Sequence, residues 1–381
     1  MRKLRVAIVA PSIDLPGGQA VQAERLISAW RGDPDVDARL IPIRWALPRF
    51  IRAARRVRFV RTAIAEVCYA PRLLPALAHA DVVHIFAAPY TAFLLAPLPA
   101  LIAARALGRP AVLHYHNGEA PDHLQRSRLA LAALRRADRL VVPSRYLVDV
   151  FARFGLDAQP VANIIDPERF RFRERDPLGA RILSTRNLHD LYNVACTIRA
   201  FALVKDRRPD ASLTIAGWGP NRSALQKLVA QLKLRDVRFA GQIDHAAITH
   251  VYARHDIYVQ SPNVDNVPNS IVEAMASGLP VVSTSAGGVP TMLRDAEDGL
   301  LAPIDDHVML AGHVLRLLDD PPLARRLALA AREVVLRTYS WSRVRGEWLR
   351  LYSEVAAQPA RRGAWMRQDP PFSHSSRRCS T

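Results

Sequence analysis

Short apolar runs recur along the chain, and each is followed by a polar loop and then by a longer amphipathic segment. The first run is Leu4–Ala10, and further runs lie at residues 81–86, 110–115 and 139–142. Apolar runs of four to eight residues are typical of buried strands, and the longer segments between them have helical spacing. This alternation predicts parallel sheets covered by helices, which is an α/β fold.

The same alternation restarts in the second half of the chain. Apolar runs at residues 181–184, 212–216, 237–240 and 256–260 each end at a polar or glycine-containing loop. With 381 residues, of which 50% are hydrophobic, the chain is long enough to bury two cores of ordinary size. We therefore predict two α/β domains.

A helix framed by two buried strands, 256–260 and 279–283, is predicted near the end of this second half. Asn269 and Ser270 are residue types that cap helices, so we expect a helix over residues 271–278. A helix N-terminus at the carboxyl end of a parallel strand attracts phosphate, because free N–H groups and the helix dipole point there. The pattern therefore predicts an anion site at the start of this helix.

This stretch also carries two acids separated by seven residues, Asp265 and Glu273, the second of which opens Glu-Ala-Met-Ala-Ser-Gly-Leu-Pro-Val-Val. The arrangement resembles the retaining glycosyltransferases of family 4. That family has the GT-B fold, in which two Rossmann-like domains face each other across a cleft and a C-terminal helix crosses back to the first domain. The family usually has Glu in place of Asp265 and a Gly-Phe-Gly-type loop in place of 266–268. A pair of helix-capping acids in an unrelated α/β protein is the alternative explanation.

The resemblance implies a nucleotide-sugar site in the second domain. Glu273 is expected to hold the ribose hydroxyls, and Asp265 is expected to contact hydroxyls of the donor sugar. Other positions that match donor-binding motifs are Gly17, Gly18, Asn266, Val267, Asn269 and Ser270, and the base-binding backbone falls at Gln242 and Ile243.

Arg186 matches a family arginine that neutralises the leaving diphosphate together with a lysine a few residues later. That lysine is absent, because Leu191-Tyr192-Asn193 stands in its place. We therefore expect diphosphate binding to depend more on Arg186 and on backbone amides, since a guanidinium makes bidentate contacts with phosphate. The alternative is a surface arginine at a strand end.

His116 is the closer match to a family histidine that faces the donor sugar, and His114 is the alternative. Their alternate spacing places both on one face of a strand, so at most one is expected to be a core histidine. A His-x-His pair alone is weak support for a metal site, and we expect no metal and no cofactor.

The domain boundary is expected after residue 168, where the chain matches the family's segment entering the second domain. The expected organisation is an acceptor-side Rossmann-like domain at 1–168, a nucleotide-sugar-binding domain at 169–340, a crossover helix at 341–357 and a disordered tail at 358–381. The tail is rich in Pro, Arg and Ser, a composition that does not support a packed core.

The formal net charge of +18 favours an anionic partner. Eight arginines alternate with apolar residues over 44–73, which is the pattern of a basic amphipathic helix. Such a helix lies on an anionic membrane surface, but a solvated helix whose arginine stems cover apolar side chains explains the pattern equally well. We expect no nucleic-acid partner, because no nucleic-acid motif accompanies the charge.

The location expected for the chain is cytoplasmic, with peripheral binding to the inner face of the cell membrane as an open extension. No secretory signal opens the sequence, and three scattered cysteines offer no disulfide framework. The uncharged stretch 85–104 is interrupted by Pro89, Pro97 and Pro99, which favours a buried helix over a membrane span.

The activity implied by the resemblance is hexosyl transfer, with retention and without a metal, from a nucleotide sugar to a hydroxyl acceptor. Cell-surface polysaccharide or glycolipid synthesis, with a lipid-linked acceptor, suits the basic segment. A sugar-nucleotide epimerase or phosphorylase with the GT-B fold and a non-catalytic protein that binds polyanions or membranes are the alternatives. A dinucleotide-dependent dehydrogenase is disfavoured, because no Gly-x-Gly-x-x-Gly motif occurs.

Overall fold

The computed structural model describes residues 2–12, 17–43, 69, 71–244 and 246–358. Over these residues the chain forms two six-stranded sheets, and every strand pair in them is parallel. Parallel strands need long crossover connections, and helices fill them in both halves of the chain. The predicted α/β class and its two Rossmann-like units are confirmed.

The first sheet has a centre that is buried on both faces, because helices cover both sides of it. Its strands are β1 (Leu4–Ala10), β2 (Val36–Pro42), β3 (Val82–Ala87), β4 (Ala111–Tyr115), β5 (Arg139–Val142) and β6 (Ala158–Pro160). They are ordered β2-β1-β3-β4-β5-β6, and all residues of β3 and β4 are buried. The helices of this half are α1 (Gly18–Ala29), α2 (residues 71–77), α3 (Tyr90–Leu95), α4 (Pro97–Ala106), α5 (Ala120–Arg126), α6 (Arg128–Leu134) and α7 (Arg145–Ala152).

The uncharged stretch 85–104 forms the end of β3 and two helices, α3 and α4, where the pattern predicted one buried helix. The chain breaks at Ala96 because Pro97, which has no N–H to donate, opens the second helix. In the part of the chain that the structure describes, no helix combines the length and the apolar character needed to cross a membrane.

The second sheet repeats the design of the first. Its strands are β7 (Arg181–Ser184), β8 (Ser212–Ala216), β9 (Val237–Gly241), β10 (Ile257–Gln260), β11 (Val281–Thr284) and β12 (Leu300–Ala302). They are ordered β12-β11-β10-β7-β8-β9. The helices are α8 (Val194–Arg207), α9 (Arg222–Gln231), α10 (Ile248–Ala253), α11 (Asn269–Ala276), α12 (Val289–Met292), α13 (His307–Asp319) and α14 (Pro321–Thr338).

The last helix, α15 (Trp341–Ala357), returns to the first domain, as expected for the crossover helix. Trp348 and Tyr352 are buried in one apolar cluster with Ile8 of β1. At the other end of the contact, Arg345 pairs with Asp33 at 2.7 Å. The crossover helix therefore anchors the chain's end on the first sheet through apolar packing and an ion pair.

Two predictions fall wholly or mostly outside the described residues. The basic amphipathic segment 44–73 was expected to form a helix, and its residues 44–68 and 70 lie outside that part of the chain. The tail 358–381 lies outside it from residue 359 onward. The membrane-surface and disorder predictions therefore stay predictions.

Candidate active site

A cavity of about 1130 Å³, here called the interdomain cleft, lies between the two domains. Loops that follow β1, β4, β7, β8, β9 and β10 contribute to it, so the carboxyl edges of both sheets face it. This edge is where open parallel sheets bind their ligands. A second cavity of about 570 Å³, beside Arg2, Trp30 and Ala38, contains none of the predicted site residues.

Most of the predicted site residues line the interdomain cleft. They are Gly17, Gly18, His116, Arg186, Gln242, Ile243, Asp265, Val267, Asn269, Ser270 and Glu273.

Asn266 is placed differently, with its side chain 2% exposed behind the wall of the cleft. The Ser144 hydroxyl donates to its Oδ1, and its Nδ2 donates to the His116 carbonyl at 3.0 Å. Both partners belong to the first domain, so Asn266 fastens the loop before α11 to that domain.

Helix α11 begins at Asn269, two residues earlier than expected, with Pro268 at the N-cap position. The prediction that Asn269 and Ser270 cap the helix is wrong, since no side chain caps it. The Asn269 side chain bonds instead to the first domain, donating to the Gly18 carbonyl at 3.2 Å and accepting from Gln22 at 2.8 Å. A helix start without a side-chain cap keeps its N–H groups available to an anion.

Arg186 follows β7 and is held in the cleft wall by several groups at once. It forms an ion pair with Asp265, and its Nη1 donates to the Ser270 hydroxyl at 3.1 Å. Its guanidinium carbon lies 4.0 Å from the centroid of the Tyr192 ring, a cation–π contact. Tyr192 belongs to the three residues that stand where the family has a lysine, so an aromatic support for Arg186 occupies that place.

The electrostatics of this pair follow from its burial. Burial raises the pKa of Asp265, and the neighbouring Arg186 charge opposes that shift. Burial, the largest single influence, lowers the pKa of Arg186, but Asp265 together with Tyr192, Tyr252 and Tyr258 outweighs it and leaves that pKa raised. The Nε atom of Arg186 is buried and has no hydrogen-bond partner within the described residues. One donor of a fixed guanidinium is therefore still unsatisfied beside the helix start.

Glu273 joins the two domains through an ion pair with Arg25, a residue that the sequence did not indicate as part of the site. Its Oε1 accepts from Arg25 Nη2 of α1 at 2.6 Å, and its Oε2 accepts from the Tyr252 hydroxyl at 3.0 Å. A carboxylate has about four acceptor positions, so these two contacts leave room for the hydroxyls of a ribose. No local motif marks Arg25 or Tyr252, because their role depends on the packing of α1 and α10 against α11.

His116 lies at the first-domain side of the cleft, directly after β4. Its ring stacks on Phe86 at a centroid distance of 5.0 Å, and burial lowers its pKa to about 3, so the imidazole is neutral near pH 7. His114 is 3% exposed and bonds to His84 at 3.1 Å, which makes it the core histidine. The rings of His114 and His116 lie 3.9 Å apart, on one face as predicted.

Among the residues with described positions, no group of three or more His, Cys, Asp or Glu side chains is arranged to hold a metal ion.

Comparison with known proteins identifies the family. The model described as Glycosyltransferase Family 4 matches residues 2–169, and the model described as Glycosyl transferases group 1 matches residues 167–334. The two matches overlap only at residues 167–169, and each covers one of the two sheets. The chain therefore belongs to glycosyltransferase family 4, and its fold is GT-B, with two Rossmann-like domains facing each other across the cleft.

Relatives of different function share this family. Glycogen synthase of Mycobacterium tuberculosis is 29% identical over 65% of this chain, and the match spans 63% of that protein, which is less than two thirds of its length. Phosphatidyl-myo-inositol mannosyltransferase of the same organism is 26% identical over 94% of this chain and 99% of its own. The crystal structure of Anabaena Alr3699/HepE in complex with UDP-glucose superposes with a TM-score of 0.74 at 17% identity, covering 92% of this chain and 100% of that one.

Proposed function

We propose that the chain transfers a hexose from a nucleotide-sugar donor to a hydroxyl acceptor, with retention of the anomeric configuration. The observation that carries this proposal is the meeting of Arg186, Asp265 and Glu273 at the uncapped start of α11 in the interdomain cleft. A guanidinium and a helix N-terminus suit a diphosphate, and a carboxylate suits the hydroxyls of a ribose. The second domain, proposed as residues 169–340, thus holds the donor, and residues 1–168 face the acceptor.

Stabilisation of the leaving diphosphate is the role proposed for Arg186 and the first amides of α11. Negative charge grows on the leaving oxygen as the sugar departs, and fixed donors aimed at that charge lower the barrier. Asp265, Ser270 and Tyr192 already hold the guanidinium in place, so little reorganisation is needed when the donor binds. This chemistry uses no metal ion.

Orientation of the sugar is the role proposed for His116 and Asp265, which line the cleft from opposite domains. The neutral imidazole offers one donor and one acceptor nitrogen to sugar hydroxyls. The acceptor oxygen then bonds to the anomeric carbon on the face that the diphosphate leaves, and the hydroxyl proton passes to the departing diphosphate, which gives retention without a covalent intermediate. We assign no side chain as a nucleophile.

The donor and acceptor classes are proposed from what similar proteins bind and act on. One solved neighbour is a complex with UDP-glucose, and one relative is named as a mannosyltransferase acting on phosphatidyl-myo-inositol. We therefore propose a role in cell-surface polysaccharide or glycolipid synthesis, with a lipid-linked acceptor. Residues 44–73 are the proposed contact with the inner face of the membrane, which places the protein at the cytoplasmic side.

A thermal-shift screen of nucleoside diphosphates and their sugars tests the donor half of this proposal. Ligand that binds the native state raises the melting midpoint with occupancy, so one base and one sugar should stand out. Arg186→Ala should abolish most of the shift, whereas Arg199→Ala, which removes an exposed arginine of α8, should leave it unchanged.

Transfer to the sugar hydroxyls of a polyprenol-diphosphate-linked sugar, or to a diacylglycerol-based acceptor, tests the second half. The one-bond carbon–proton coupling at the anomeric position of the product, measured by NMR, should show the configuration of the donor. Absence of any nucleotide-induced shift, or an Arg186→Ala protein that binds like the wild type, would overturn the proposal. An epimer formed without acceptor would favour the epimerase alternative.

A further inference from the structure

Trp218 is an exposed aromatic side chain on the wall of the interdomain cleft. Trp218 is 61% exposed, and no other aromatic residue in the described part of the chain is exposed to a comparable extent. An indole ring contributes to stability mainly when it is buried, so an exposed one adds little to the stability of the fold itself. A ring kept exposed on a ligand-facing wall indicates a surface that a ligand covers.

The backbone on both sides of Trp218 is fixed by close packing. A Cβ on Gly217 would overlap the carbonyl oxygen of Arg186, and a Cβ on Gly219 would overlap that of Leu188. The Leu188 N–H also donates to the Trp218 carbonyl at 3.0 Å. The two glycines therefore allow the turn to lie directly on the loop that carries Arg186, and the Trp218 side chain is presented from a rigid turn.

The pairing of β8 with β9 places Trp218 beside the predicted base-binding backbone. The Gly217 N–H donates to the Gly241 carbonyl at 2.7 Å, so Trp218 and Gln242 each come one residue after this bonded pair. Strand β8 also lies between β7, which leads to Arg186, and β9. Trp218 therefore follows the strand that lies between the one leading to Arg186 and the one leading to Gln242 and Ile243.

We infer that Trp218 provides the face on which the nucleobase of the donor stacks, an inference that rests on the proposed nucleotide-sugar function. Stacking on an aromatic side chain is tolerant of the base, because every base has a π-face. Trp218 thus supplies affinity for the nucleoside part of the donor. Discrimination among bases is left to the hydrogen-bonding backbone at Gln242 and Ile243.

Calorimetric titration with UDP, GDP, ADP and pyrophosphate separates stacking from phosphate binding. Trp218→Ala should weaken the best-binding nucleotide about tenfold and leave pyrophosphate binding unchanged, because stacking involves the base alone. Trp218→Phe should retain most of the nucleotide affinity. Leu232→Ala, which removes another exposed apolar side chain of the same domain outside the cleft, should bind every probe like the wild type.

Tryptophan fluorescence gives a second readout that a purely structural role would not change. Titration with the nucleotide should quench the wild-type emission, and Trp218→Phe should bind the nucleotide without that quenching. Equal nucleotide affinity in Trp218→Ala and wild type, or quenching that persists in Trp218→Phe, would overturn this inference and leave the proposed function standing. If the wild type bound none of the three nucleotides, both would be overturned.

Discussion

The ion pair between Arg25 and Glu273 predicts a strong energetic tie between the two domains. Arg25→Met removes the guanidinium and keeps an unbranched apolar stem of similar length, which preserves the packing of α1. Glu273 then keeps the Tyr252 hydroxyl as its remaining partner. The variant therefore leaves a carboxylate in the domain interface without its counter-charge.

The cost follows from the geometry of the pair. The two side chains are 9% and 10% exposed, and the Nη2–Oε1 distance is 2.6 Å. Removing one partner of a buried ion pair costs about 3–5 kcal/mol, because an uncompensated charge remains. Since Tyr252 still donates to the carboxylate, we expect the lower end, about 3 kcal/mol. For a domain of ordinary size this corresponds to a melting midpoint lowered by roughly 6–12 °C.

Thermal unfolding of a double-mutant cycle measures this tie. Arg25→Met and Glu273→Gln should each lower the midpoint, and the double variant should recover much of the loss because no unpaired charge is left. Arg31→Met, which removes an exposed arginine just beyond α1, should stay within about 0.5 kcal/mol of the wild type. An Arg25→Met protein that melts like Arg31→Met, or additive losses in the double variant, would refute the reasoning.

Two further predictions concern the packing of the cleft and its histidines. Gly118→Ala would place a Cβ 2.8 Å from the backbone carbonyl of Asp265, so it should displace the loop before α11 and lower the nucleotide affinity measured by calorimetry. In the control variant Gly346→Ala the added Cβ meets no atom within 4 Å, so the nucleotide affinity should equal that of the wild type. Burial lowers the pKa of His84 and His116 from 6.5 to about 3, so the unfolded chain takes up protons first as the pH falls below 6.5. The free energy of unfolding should be highest above pH 6.5 and should decline, well below it, by about 1.4 kcal/mol per pH unit for each histidine. A melting midpoint that is unchanged between about pH 7.5 and pH 5.5 would contradict this prediction.

Most strands of both sheets are predictable from the sequence because their signal is local, whereas β2, β6 and β12 were not predicted. The run Leu4–Ala10 coincides with β1, and the run at 237–240 coincides with all but the last residue of β9. Turn positions are equally local, as Gly278 ends α11 with a φ of +77°. The family motif at Asp265 and Glu273 also placed both acids on the cleft wall, since the motif fixes their positions around one strand and one helix.

The contacts that hold the site together depend on packing that no local pattern encodes. Residue type suggested that Asn269 caps α11, but the first domain supplies partners that attract its side chain away from the helix. Arg25 belongs to a helix with no recognisable site motif, yet it reaches Glu273 across the domain interface. In the sequence, Trp218 is distinguished only as the residue between Gly217 and Gly219, whereas its exposure in the cleft is a property of the folded chain.

Whether Glu273 holds the ribose at the start of α11 can be measured by the binding of UDP and of its 2′,3′-dideoxy analogue to the wild type and to Glu273→Ala. If another base binds better in the thermal-shift screen, the corresponding pair of nucleotides replaces UDP and its analogue. Hydrogen bonds to a charged group contribute about 1.5–3 kcal/mol, so loss of the hydroxyls should weaken binding to the wild type at least about tenfold. We expect the same loss to have little effect in Glu273→Ala, where the partner is already missing. An equal loss of affinity in both proteins would show that the ribose does not meet Glu273 and would contradict the account.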